Sequence, residues 1–171
     1  MLILLAFGAF LRVADAGPMD DPLVSLFGTT CFAQYTNLDG LRSNLQRDKF
    51  QELNGTAAKP FLGPGTGRVW ISSFQGSQYA IAVRDDGVCA VFAQQALVER
   101  VRKRFVETFS TTSLPFESKE VPMRSPNSMT HTIAYGWAQP TASTQLLFTL
   151  TTVDDPSAGI QAMLSMARIK R

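Results

Sequence analysis

Apolar positions in this chain recur first with a helical period and then with a strand period. Leu23, Phe27, Cys31 and Tyr35 come every four residues, with Leu26 beside them, which predicts a helix with one buried face. Asp21 is placed to cap it and Pro22 to occupy its first turn. A second helix is predicted from about Asp39 to Leu53, with Leu41, Leu45 and Leu53 inward and Arg42, Arg47 and Asp48 outward. Asn54-Gly55 supplies the left-handed residue expected to end it. Residues Pro60 to Gly67, PFLGPGTG, read as a rigid loop.

The period then changes. From Arg68 to Phe109 the chain reads as three short strands and one amphipathic helix folded back over them. Val69 and Ile71 alternate with Trp70 and Phe74; Tyr79, Ile81 and Val83 alternate with small residues; Cys89 and Val91 alternate with Ala90 and Phe92. Gln75-Gly76-Ser77 and Asp85-Asp86-Gly87 are the hairpin connections. The helix from Gln95 to Phe109 carries Leu97, Val98, Val101, Phe105 and Phe109 on one stripe.

A second group of strands closes the chain. Phe116 to Arg124 contains Pro122, which cannot donate to a ladder and so predicts an edge strand. Ser128–Gln139 puts Met129, His131, Ile133, Tyr135 and Trp137 on one face, and Thr144–Val153 alternates Leu146, Phe148 and Leu150. The last segment, Ile160 to Lys170, favours helix by residue type. It favours strand by its alternation of Ile160, Ala162, Leu164 and Met166, and a strand is the reading adopted.

Helices before the sheet suggest an α+β fold: an antiparallel sheet of about six or seven strands packed on an N-terminal helix pair and one central helix. The order of elements resembles profilin-like α+β sandwiches in outline, a resemblance of fold that implies no activity.

The start of the chain changes the picture of compartment. MLILLAFGAFLRVADA is an apolar run ending in Ala14-Asp15-Ala16, the pattern of a secretory signal over residues 1–16, although no Lys or Arg precedes it; an N-terminal core helix is the competing reading. Residues 17–171 then form a single domain that is periplasmic or secreted, with no integral membrane segment after cleavage. In such a space two cysteines tend to pair, so a Cys31–Cys89 bridge is expected, against the alternative of two buried thiols.

Composition narrows function mainly by what it removes. The net charge of +2 over 171 residues argues for neither nucleic acid nor an anionic membrane. His131 is the only histidine, so histidine-based chemistry must use it, and its apolar neighbours in the pattern predict a packed, structural side chain. No G-x-S-x-G elbow, zinc-ligand spacing or calcium loop is present, and the Asp-Asp pairs all adjoin turns or helix starts. Gly63-Pro64-Gly65-Thr66-Gly67 follows a predicted helix and opens a strand, the reverse of a phosphate-cradling loop, and no cofactor is expected. Asn54-Gly55-Thr56 would accept a glycan in a eukaryotic secretory pathway.

Two surfaces remain as candidates for a partner. Arg100, Arg102, Lys103 and Arg104 form a basic patch on the helix, and Trp70 and Trp137, with Tyr79 and Tyr135, would form an adhesive face if helices leave it uncovered. Both have ordinary readings, a solvated helix face and a packed core. The function expected is a non-catalytic binding or inhibitory protein acting on a protein partner in the cell envelope. The alternative is a small secreted hydrolase using His131 with a serine or carboxylate.

Overall fold

The computed structural model describes residues 21–48, 50–74 and 77–171. Residues 1–16, read above as a secretory signal, and the Gln75-Gly76 turn lie outside the described residues.

Helix α1 spans Pro22–Phe27 and continues as a π-helical turn over Gly28–Phe32. Asp21 caps it as the sequence predicts, its Oδ1 accepting from the backbone N–H groups of Leu23 (3.0 Å) and Val24 (3.2 Å). Leu23, Phe27 and Cys31 are buried on one face, whereas Tyr35, expected on the same face, lies past the end of the helix and is exposed. Helix α2, Leu38–Arg47, is capped by Asn37 and buries Leu41 and Leu45.

The first correction falls here. The second helix stops at Arg47 rather than Leu53, and Gln51–Leu53 is instead strand β1, paired antiparallel with β2, Gly67–Phe74. Leu53 therefore packs under the sheet and not on the helix face. Gly55 does take the expected positive φ, 60°, but it follows a strand. The proline-rich loop likewise contains a short helix, α3, Lys59–Leu62, with Pro60 in its first turn and Leu62 buried.

Strands β3, Ser77–Arg84, and β4, Cys89–Ala93, complete a four-stranded meander. Helix α4, Val98–Phe109, starts three residues later than expected. A second meander follows: β5, Glu117–Glu120; β6, Thr130–Ala138; β7, Thr144–Val153; β8, Ala162–Lys170. The order across the sheet is β1-β2-β3-β4-β8-β7-β6-β5, all antiparallel. The architecture is thus the expected α+β class, but with one eight-stranded sheet and four α-helices among the described residues. The extra strand is β1, which a helical period disguised. The last segment is a strand, and it lies at the centre of the sheet against β4. Strand β5 lies at the edge, ending before Pro122.

Each meander follows a helix, and the two join along β4 and β8. One row on the helix-bearing face runs Trp70, Ile81, Val91, Leu164, Leu150, Ile133 across six strands. Helix α1 lies over β4 and β8, and α4 over β7. Between them sits an aromatic cluster: Phe109 stacks on Phe148 at 4.6 Å, with Phe27, Phe32 and Trp137 edge-on or tilted around them. The opposite face carries small residues in its central row, Val69, Ala82, Ala90, Ser165, Thr149 and Ala134. Phe61 and Leu62 at α3 pack over its β2–β4 half.

Cys31 and Cys89 form a disulfide, both fully buried, with Cα atoms 5.6 Å apart. The π-helical turn after α1 is thereby tied to β4, helix layer to sheet. No described helix is long and apolar enough to cross a membrane.

Candidate functional site

At one end of the sheet the start of β3, the β4–α4 connection and the β7–β8 loop come together, and both α1 and α4 begin there. They enclose a cavity of about 510 Å³, within the range of small-molecule sites. Polar groups line it: Asp21, Ser77, Tyr79, Gln95, Arg100 and Gln161. Its floor is apolar, from Leu23, Ala93 and Val101.

Gln161, nearly buried at the start of β8, accepts from the Ala96 N–H at 2.8 Å and donates to the Asp155 carbonyl at 3.4 Å. It therefore fixes the wall between the β4–α4 connection and the β7–β8 loop. Burial pushes the Tyr79 phenol above its usual pKa, Ser77 opposes that by a hydrogen bond, and the negative charge of Asp21 adds to the rise. Tyr79 is thus neutral at ordinary pH. Asp21 uses only Oδ1 for capping; Oδ2 lies 3.9 Å from Arg100 Nε, beyond hydrogen-bonding distance. Leu97, the cap residue of α4, makes no side-chain capping bond, so the first N–H groups of that helix lack a side-chain acceptor.

The basic helix is differently disposed from its sequence. Arg102 is largely buried by its partners: it donates to Glu99 Oε1 (2.7 Å), Asp154 Oδ1 (2.6 Å) and Thr152 Oγ1 (2.9 Å). Arg104 bonds Glu107 at 2.7 Å. Arg100 and Lys103 are the cations of this helix left to solvent, with side chains 53% and 73% exposed. The four do not form one continuous basic patch.

The aromatic face is a correction. Trp70, Tyr79 and Tyr135 are buried, because helices cover that side of the sheet. Trp137 is half-buried against Phe32, Phe109 and Phe148, and its indole N–H donates to the Phe109 carbonyl at 2.8 Å. Ser118 Oγ donates to the same carbonyl, so both residues satisfy the last turn of α4. Trp70 is fully buried, whereas Trp137 keeps part of its surface exposed.

His131 is also corrected. It lies at the exposed start of β6, not in the packed face, and its Nε2 is 2.9 Å from Asp154 Oδ2. The hydrogen bond from Arg102 holds the Asp154 carboxyl below the usual range, and the charge of Arg102 and the His131 contact add to it. Among the described residues no serine is hydrogen-bonded to His131, and no cluster of three or more His, Cys, Asp or Glu is arranged to hold a metal. Asn54 is exposed and makes no capping bond.

No family model, curated protein or solved structure matches this chain. Sequence reasoning identified Asp21 as a helix cap and Arg100 as a surface cation, and missed that both line one cavity. Gln161 carried no signal at all. Only the adjacency of β4 and β8 puts these loops together.

Proposed function

We propose that this chain is a non-catalytic binding protein of an oxidising envelope space, acting on a protein partner as an inhibitor would. The buried Cys31–Cys89 bridge is the observation that carries the reading, since such bonds persist where thiols are not kept reduced. It makes a rigid platform of α1 and the sheet, and rigidity lowers the cost of binding. The partner surface is the outer side of α4, where Arg100 and Lys103, largely exposed and each in only a loose ion pair at 3.9 Å, can meet an acidic patch. Crosslinked capture from envelope extract, identified by mass spectrometry, tests it. One partner retained by wild type and His131→Ala but lost with Arg100→Glu or Lys103→Glu supports the reading. Equal capture by every variant removes α4 from it, and free thiols in exported protein remove the compartment.

A small hydrolase is the second reading, and the His131–Asp154 contact is what favours it, because a carboxylate on one ring nitrogen orients the imidazole as a base. His131→Ala would then abolish ester hydrolysis in a chromogenic assay. Loss of capture without any hydrolysis separates the first reading from this one.

A further inference from the structure

The cavity between the starts of α1 and α4 holds two opposite charges, Asp21 and Arg100, that meet as a loose ion pair without closing to hydrogen-bonding distance. The Asp21 side chain is 5% exposed, one oxygen spent on capping and the other making no hydrogen bond among the described residues. That second oxygen keeps its acceptor capacity for a donor arriving from the cavity. Arg100 Nε lies 3.9 Å from that oxygen in a loose ion pair, its one ion pair among the described residues. Beside it, the first turn of α4 offers N–H groups that no side chain caps. One wall therefore calls for a cationic donor and the adjoining one for an anion, above an apolar floor of Leu23 and Val101.

We propose that this cavity binds a free α-amino acid as its zwitterion. The ammonium donates to Asp21 Oδ2, the carboxylate accepts from Arg100 and the opening N–H groups of α4, and the side chain lies on the apolar floor. A zwitterion fits because ammonium and carboxylate sit on one carbon, so a single small ligand reaches both walls. An anion alone would leave the Asp21 oxygen without a donor and would meet its charge, and a simple amine would leave Arg100 and the α4 amino end unused. The cavity and the partner surface share Arg100, but Lys103 is outside the cavity and Asp21 is outside the partner surface, so variants at those two positions tell the readings apart.

Isothermal titration calorimetry on the disulfide-bonded protein, with each common amino acid and the N-acetyl and amide derivatives of any that binds, is the test. At least one free amino acid is expected to bind, with either derivative weaker by at least about tenfold, the loss of one charge-assisted hydrogen bond. Asp21→Asn keeps a good helix cap and should weaken binding by at least about tenfold with little change in Tm; Arg100→Gln should do the same. Heat from no amino acid, equal affinity for the N-acetyl or amide form, or wild-type affinity in Asp21→Asn would each overturn the proposal. Capture experiments with Lys103→Glu report on the other reading and leave this one untouched.

Discussion

Asp21 shows how much one side chain can be asked to do here. Its position before Pro22 made its capping role legible, because a cap needs only the residues that follow it. Asp21→Ala should cost about 1 kcal/mol in urea denaturation, the usual value of a lost cap, whereas Asp21→Asn should cost little. His131 was misread for the opposite reason. A two-residue period tells which face a side chain takes but not how far the helix layer extends over it, and β6 begins beyond that cover. Three paired carboxylates, of which Asp154 touches His131, give a pH prediction with a definite sign. Asp154, Glu52 and Asp86 are all held below the usual carboxylate range, chiefly by hydrogen bonds from Arg102, Arg68 and Arg84. A lowered folded pKa means the folded state binds fewer protons, so this stability is present above the ordinary carboxylate value near 4 and is lost as pH falls below it. Thermal melts should show Tm flat from about pH 5 to 8 and falling steadily from about pH 4 to 2.

Among the elements, β8 and β1 carry the contrast. Residue type in Ala162–Lys170 favours helix, yet alternation prevailed, because the segment fills the middle of the sheet with β4 on one side and β7 on the other. In β1 the reverse happened. Leu53 extends the leucine period of α2, but β2 has an open edge there, and pairing of three residues outcompetes another helical turn. Gly67, which opens β2, tests how closely the strands approach. A Cβ there would fall 2.5 Å from the Val83 carbonyl oxygen and 2.6 Å from Arg84 Cα, backbone atoms that cannot step aside. Gly67→Ala should therefore destabilise by roughly 1–3 kcal/mol in chemical denaturation. In β6, Trp137→Phe keeps the ring in its cluster and removes one donor from the Phe109 carbonyl at the end of α4, at a cost of about 1 kcal/mol.

For the molecule as a unit, the disulfide and the β4–β8 junction are the organising contacts. Cys31 and Cys89 are separated by 58 positions, so reducing the bond frees a long loop in the unfolded chain. The chain-entropy relation puts the loss at about 4 kcal/mol, to be read as a lowered urea midpoint in Cys31→Ser/Cys89→Ser. The pairing was legible from two cysteines on predicted inward faces in a chain whose start reads as a secretory signal. The cavity was not, since its walls come from four separate segments that local pattern cannot bring together.

By itself the order of residues determined the period of most elements, the cap at Asp21, the side each cysteine faces, the edge position of the strand before Pro122 and the α+β class. All of these depend on neighbours within a turn or a strand. Packing of distant segments decided that β8 lies beside β4, that Gln51–Leu53 joins the sheet, that Arg102 is consumed by Asp154 while Arg100 meets Asp21, and that Trp70 is buried. Strand order, helix cover and the convergence of loops follow from which apolar faces pack best together, and that choice is made only once the whole chain has collapsed.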